Sequence, residues 1–139
     1  MSTMPLLVPF HDWAKCASVL DDGLLQETRD NSLVALESLL GLREDEDPAI
    51  DMWVEHESAL VIYGTQMCLE LWMARRISDS VQFSLKHLSD EYLDFSFVSP
   101  PWRDDKDLMR SHRSWLIRRS KRYRKTFPGT PDDIPTKST

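Results

Sequence analysis

The sequence predicts an all-α fold, a compact single-domain bundle of four to five helices. Apolar residues recur three and four positions apart over several long stretches, whereas strand-like alternation is nearly absent. A length of 139 residues suits one domain with a buried core, and 41% hydrophobic and 29% charged residues are typical of a soluble globular protein. We expect a helical domain over residues 1–127 and an extended or frayed tail over residues 128–139, where proline and glycine recur.

The first two helices are predicted from their ends. Asp12 is suited to cap a short first helix. A second helix over about residues 22–40 should end at Gly41, because glycine adopts the left-handed conformation that ends many helices. Arg29 falls in the middle of the apolar face of this helix, and burying an unpaired arginine is costly. We therefore expect Arg29 to be paired or to line a pocket, unless it extends its charged end to solvent.

A long third helix is predicted from about residue 49 to residue 76 by a continuous apolar stripe. His56 lies inside that stripe, where a histidine is more often a hydrogen-bonded core residue than a catalyst. Glu70 lies at the edge of the stripe, and a carboxylate near a buried arginine would explain both groups. Glu57 lies to the side of the stripe and could line a cleft.

A fourth helix is expected over residues 81–93, followed by an aromatic turn into the core over residues 92–97. Residues 99–102, Ser-Pro-Pro-Trp, should form a rigid, non-helical connector, because proline disfavours helix at the residue before it. This connector leads to the last predicted helix.

The last predicted helix, which includes residues 111–125, carries the densest positive charge of the chain. With Arg110 it holds eight basic residues and no carboxylate, and residues 103–125 have a charge of +7 in a chain of net charge −6, which leaves −13 for the remainder. Guanidinium groups match phosphate oxygens, so this segment favours contact with a polyanion. A solvated helix balanced by acidic residues elsewhere in the fold is the alternative. The candidate DNA contacts in and beside this segment are Arg110, His112, Arg113, Arg118, Arg119, Lys121 and Arg122.

Cysteine usage and hydropathy indicate a cytoplasmic protein without cofactors. Cys16 and Cys68 lie in apolar surroundings, without a CxxC pair or zinc-ligand spacing, so we expect reduced core residues and no metal site. No apolar run approaches the roughly 20 residues that cross a bilayer, so we expect no membrane segment. The sequence leaves the oligomeric state open.

Three blocks of the sequence form a recognisable set. They read DWAKCASVLDDGLLQETRDN, DPAIDMWVEHESALVIYGTQMCLELW and PPW…SHRSWLIRR…Y…PDDIP, and they span about residues 9–135. In order and spacing they resemble a bacterial and phage group classed with the pyrimidine-dimer DNA glycosylases, the phage endonuclease V-like family. The resemblance implies an all-helical domain that bends duplex DNA and flips a nucleotide out of the stack.

The resemblance also implies a chemistry. In that family an N-terminal α-amine forms an imine at C1′ of the sugar, and acid-assisted β-elimination then nicks the strand. Removal of Met1 would leave Ser2 as the amine in this chain. Arg29 and Arg113 would clamp phosphates or the flipped site.

The match departs from the family at one residue with a chemical role. The family's catalytic glutamate stands in the pattern R-x-E, and the matching residue here is Asn31. An amide cannot take up a proton from a sugar carbon, so Glu57 or Glu70 would have to supply the acid.

Three functions therefore follow from the sequence. The first is a DNA glycosylase with β-lyase activity on damaged or modified duplex DNA. The second is a DNA-binding member of the same family that has lost the chemistry. The third is a protein-interaction module that uses the acidic faces, with the basic helix docked on an acidic partner.

Overall fold

A computed structural model describes residues 4–78 and 80–137, and over these residues the chain is all helical, as predicted. The α-helices in this part are α1 (Trp13–Val19), α2 (Asp22–Leu39), α3 (Pro48–Asp51), α4 (Glu57–Leu69), α5 (Val81–Tyr92), α6 (Lys106–Arg119) and α7 (Tyr123–Thr126). Two of these seven helices, α3 and α7, are single turns. A π-helical turn (Glu70–Ala74) continues α4, and a 3-10 turn (Pro101–Asp104) precedes α6.

Helix α4 is the centre of the core and packs against α1, α2 and α5. Gly64 makes the contact with α2 close, because a β-carbon added there would lie 2.6 Å from the Ser32 hydroxyl oxygen. Buried aromatic rings fill one end of the core, with the Trp53 ring centroid 5.1 Å from Tyr63 and 4.8 Å from Trp102. Such tilted and edge-on ring pairs add to the stabilisation that burial alone provides.

The predicted ends of the first two helices are confirmed. The Asp12 carboxylate accepts a hydrogen bond from the Ala14 amide at 2.9 Å and so caps α1. Gly41 follows α2 with a φ of 78°, a left-handed conformation that glycine adopts without strain.

The prediction of one helix over residues 49–76 is wrong, because the chain breaks between α3 and α4. Glu55 has a φ of 67°, which a continuous right-handed helix cannot accommodate. In the irregular segment before it, the Met52 carbonyl accepts a hydrogen bond from the buried indole of Trp102 at 2.8 Å. His56 is the residue before α4 and is only partly buried, so it is not a core residue of a helix face.

Three smaller predictions are also wrong. The aromatic stretch over residues 92–97 does not turn into the core: Tyr92 ends α5, and Tyr92, Phe95 and Phe97 are all exposed. The connector over residues 99–102 leads into a 3-10 turn rather than staying non-helical. The basic helix ends at Arg119, where Ser120 takes an extended conformation, and the remaining basic residues lie in and around α7.

Both described ends of the chain lie against α6. Residues 5–9 are buried without forming a helix, and the Val8 amide donates a hydrogen bond to the His112 ring. The tail over residues 128–137 contains no helix, and the Ile134 and Lys137 amides donate to the hydroxyls of Ser114 and Ser111 on α6.

Candidate nucleic-acid interface

A nucleic acid cannot reach His112 on α6, because its side chain is buried under the N-terminal segment and the tail. Its Nδ1 accepts a hydrogen bond from the Val8 amide and its Nε2 lies 2.9 Å from the Lys137 carbonyl oxygen. These partners require a neutral ring with its proton on Nε2. Burial lowers the pKa of His112 to about 4, which keeps the ring neutral at pH 7. His112 therefore joins the two ends of the chain and is not a DNA contact.

Arg113 holds the N-terminal segment against α6. Its Nε donates to the Pro9 carbonyl at 2.8 Å, and its guanidinium lies 4.9 Å from the Phe10 ring centroid and 5.5 Å from that of Phe127. These partners are neutral, so the positive charge of Arg113 is not cancelled by a carboxylate in these contacts.

Arg118 holds the tail against α6 by donating to four neutral acceptors. One guanidinium nitrogen donates to the Asp132 and Ile134 carbonyls and to the Ser114 hydroxyl, and the other donates to the Thr136 hydroxyl. Two of its three nitrogens donate within the protein, and these neutral acceptors leave its positive charge in place.

The remaining cations of the segment form an exposed basic ridge at the end of α6 and around α7, which we define as Arg119, Lys121, Arg122, Arg124 and Lys125. Arg119 pairs with Glu27 at 3.4 Å and Arg124 pairs with Asp132 at 2.8 Å. Arg122 lies over the Tyr123 ring. All of these groups face solvent, so a polyanion can reach the ridge.

The ridge is attached to the start of α2 by one buried side chain. The Tyr123 hydroxyl donates to the Asp21 carboxylate at 2.7 Å and accepts from the Asp21 amide. Burial acts to raise the pKa of Asp21, but hydrogen bonds from the Leu24 amide and Tyr123, together with the charges of Arg122 and Arg119, hold it below its usual value. The ridge therefore stabilises negative charge beside it.

Arg110 does not belong to the ridge. It is exposed on α6 and lies nine residues before Arg119, which places it on roughly the opposite face of the helix and about 13 Å away along its axis. A single duplex backbone that follows the ridge would not reach it.

Two candidate residues, Arg29 and Asn31, lie on α2, and Asn31 contacts the N-terminal segment. The Arg29 guanidinium pairs with Asp30 at 2.9 Å, and its side chain is 12% exposed. The Asn31 amide donates to the Pro5 carbonyl at 3.0 Å. Ser2, the predicted nucleophile, lies outside the described residues.

The two candidate glutamates lie away from Asn31. Helices α2 and α4 touch where Ser32 meets Gly64. Glu57 precedes Gly64 by seven residues, which places it about 10 Å from Gly64 along the axis of α4. Glu70 follows Gly64 by six residues and lies about 9 Å from it in the opposite direction. The structure therefore brings neither glutamate to Asn31.

Glu70 forms an ion pair with Arg75 at 3.2 Å, rather than the pair with Arg29 that the sequence suggested. Arg75 also pairs with Asp22 and donates to the Ala17 carbonyl at the end of α1. Sequence reasoning missed this largely buried arginine, because it falls at the end of the predicted long helix, where a basic residue usually faces solvent.

Asp47 is a second residue that sequence reasoning missed. One carboxylate oxygen accepts from the Met4 amide at 3.0 Å, and the other caps α3 through the Ala49 amide. The Asp-Pro pair at residues 47–48 is a helix-start signal, but nothing in it indicates the contact with the N-terminal segment.

The described residues offer no built metal site or thiol nucleophile. No group of three or more His, Cys, Asp and Glu side chains within them is arranged to hold a metal ion. Cys16 and Cys68 are buried free thiols, and burial raises the pKa of Cys16 to about 12, which keeps it protonated. None of the helices in this part of the chain is long and apolar enough to cross a membrane.

Comparison with known proteins gives no match: no protein-family model, no curated protein and no solved structure matches this chain. Any function assigned to it therefore depends on its own residues.

Proposed function

We propose that this protein binds the phosphate backbone of duplex DNA through the basic ridge and does not carry out lyase chemistry. The observation that carries the proposal is the set of five cations within residues 119–125, on one exposed end of the fold. Guanidinium and ammonium groups at that density suit the regular spacing of backbone phosphates.

The carboxylates near the ridge do not prevent a phosphate from binding to it. Glu27 and Asp132 pair with Arg119 and Arg124, and these acidic side chains are 43% and 52% exposed. Ion pairs between exposed side chains contribute at most about 1 kcal/mol, so a phosphate can replace either carboxylate. Arg118 adds to the same positive field, because all four of its hydrogen-bond partners are neutral.

The contacts of Asn31 support binding without lyase chemistry. Its amide is already a donor to the Pro5 carbonyl, and an amide neither takes up nor supplies a proton at neutral pH. The carboxylate that contacts the described start of the chain is Asp47, and both of its oxygens accept backbone hydrogen bonds. It serves the fold as a helix cap and as an anchor for Met4.

The DNA proposal is tested by fluorescence anisotropy with a labelled 20-base-pair duplex over a range of salt concentrations. The variant Lys121→Ala/Arg122→Ala/Lys125→Ala removes three ridge cations and should weaken binding. The slope of log K against log salt should become shallower by about 2.7, because each phosphate contact contributes about 0.9.

A matched control removes the same charge elsewhere. Arg43→Ala/Arg76→Ala/Lys86→Ala deletes three exposed cations outside the ridge, and its affinity should equal that of the wild type. Equal losses in both triple variants would show that net charge alone acts. A wild-type affinity that does not change with salt would remove the DNA proposal and favour an acidic protein partner.

A lyase is a second candidate function. It is favoured by the contacts of the N-terminal segment, since Met4 donates to the Asp47 carboxylate and Pro5 accepts from the Asn31 amide. Borohydride added to the protein and an abasic-site duplex traps an imine, and we expect no covalent adduct. An adduct in the wild type would establish the lyase, and its loss in Asp47→Asn but not in Glu57→Gln would identify the acid. An adduct only in Asn31→Glu would show that the chemistry was lost at this residue.

A further inference from the structure

The segment between α5 and the 3-10 turn exposes a backbone that has no partner. Residues 93–98 contain no helix, and Leu93 at their start takes an extended conformation. Within the described residues the amides and carbonyls of residues 94–98 form no hydrogen bond. Their large side chains are also exposed: Phe95 by 55%, Phe97 by 43% and Val98 by 67%. An extended segment with free backbone groups is an edge onto which another strand can pair.

Side chains alternate along this edge. Asp94, Ser96 and Val98 line a surface pocket of about 250 Å³ together with the start of α4. Phe95 and Phe97 do not line this pocket, and Phe97 lies edge-on to the Trp13 ring instead. From Asp94 onward, this is the alternation that an extended chain produces. The two sides of the edge therefore differ, one being polar and the other aromatic.

The polar side is negatively charged. Glu55 and Glu57 line the pocket opposite Asp94, and none of the three forms an ion pair within the described part of the chain. Leu93 and Ala59 give the same pocket an apolar wall. Carboxylates at the mouth and aliphatic carbons on the wall match a lysine or arginine side chain, whose stem is apolar and whose end is cationic.

We propose that residues 93–98 bind an extended basic segment of another protein, which pairs with them as a second β-strand. Alternate side chains of that segment are basic and enter the acidic pocket, and the others are apolar and cover Phe95 and Phe97. Charge excludes a second copy of this chain as the occupant, because self-pairing would bring two sets of the same carboxylates together. Residues outside 103–125 carry a charge of −13, which extends the attraction for a cationic partner.

Protein labelled with ¹⁵N and titrated with a blocked heptapeptide of alternating lysine and valine provides the first test. Amide shifts should be confined to residues 93–98 and to the pocket residues Glu55 and Glu57. The same peptide with N-methyl groups on the amides of one edge should bind at least tenfold more weakly, because it cannot donate to a strand. A glutamate–valine peptide should not bind.

Variants locate the contact. Ser96→Pro removes one backbone amide of the edge and should weaken binding of the lysine–valine peptide at least tenfold. The control Phe83→Ser removes an exposed aromatic ring outside the segment and should leave the affinity for the peptide unchanged. Asp94→Asn/Glu57→Gln leaves the backbone intact and should weaken binding about fivefold with a smaller salt dependence. If Ser96→Pro disturbs the fold, the affinity of this double variant for the peptide tests the proposal instead.

Three results would overturn the proposal. The first is equal affinity for the N-methylated peptide, and the second is a set of shifts that maps outside residues 93–98. The third is concentration-dependent dimerisation of the wild type in sedimentation experiments that Ser96→Pro abolishes, which would make a second copy the occupant.

Discussion

Lowering the pH from 7 to 5 should reduce the free energy of unfolding by about 2 kcal/mol through His112 alone. Burial lowers the pKa of its imidazole from 6.5 to about 4, and in the unfolded chain the ordinary value returns. Between these two values the unfolded state binds more protons than the folded state. The stability due to neutral His112 is therefore fully present above pH 6.5 and is lost as the pH falls towards 4.

The magnitude follows from linkage and has a structural cause. One pKa unit corresponds to about 1.36 kcal/mol, so the full shift is worth a little more than about 3 kcal/mol. The interval from pH 7 to 5 accounts for slightly more than half of it, which is about 2 kcal/mol. A protonated ring would carry a proton on Nδ1, where the Val8 amide now donates at 2.9 Å. Two donors would then face each other in a buried site.

Urea unfolding followed by tryptophan fluorescence measures the effect, since Trp13, Trp53 and Trp102 are buried in the native state. His112→Gln should be less stable at pH 7 but should lose about 2 kcal/mol less than the wild type on going to pH 5. His87→Gln, which alters an exposed histidine, should keep the wild-type dependence. Parallel pH profiles for the wild type and His112→Gln would refute the assignment of this titration to His112.

Three further outcomes are expected. Gly64→Ala should lower the free energy of unfolding by about 1–3 kcal/mol, because its β-carbon would lie 2.6 Å from the Ser32 hydroxyl oxygen. The control Gly23→Ala should not be destabilising, because the nearest atom that its β-carbon would meet is 3.6 Å away. Equal losses in the two variants would contradict this packing argument. Trp102→Phe should lose about 1–3 kcal/mol in urea unfolding, because a buried carbonyl loses its donor, and a neutral result would show that water replaces the indole. Arg118→Ala should speed amide hydrogen exchange in residues 130–137 alone; unchanged exchange would mean that the tail is held without it.

The fold class and most helix ends were predictable because their causes are local. Asp12 as a cap and Gly41 as a terminator act through neighbouring backbone groups, so the residue type is sufficient information. The break at Glu55 was not predictable, since its cause is non-local. The buried Trp102 indole, fifty residues away, needs a carbonyl from that irregular segment.

The candidate interface was predictable only in part, because residue type identifies cations but not their partners. His112, Arg113 and Arg118 have the composition expected of a DNA-binding helix, yet each binds a segment distant in sequence. Periodicity places a side chain on a face of its own helix and does not reveal which other segment covers that face. The covering segments here, residues 5–9 and the tail over residues 128–137, contain no helix, so they leave no such signal.

Basic residues in the middle of α6 and those at its end have different roles, and this difference affects how a polyanion would approach the molecule. Its middle residues hold the N-terminal segment and the tail through neutral acceptors, and its last turn leads to the exposed ridge. Arg113 and Arg118 thus keep their charge while they donate to carbonyls of the protein itself, and this charge strengthens the local field. If the proposed DNA contact is made, the number of arginines exceeds the number of phosphates neutralised, whereas all of these arginines contribute to the attractive potential. A polyanion should consequently approach this end of the molecule faster than its number of direct contacts alone would suggest.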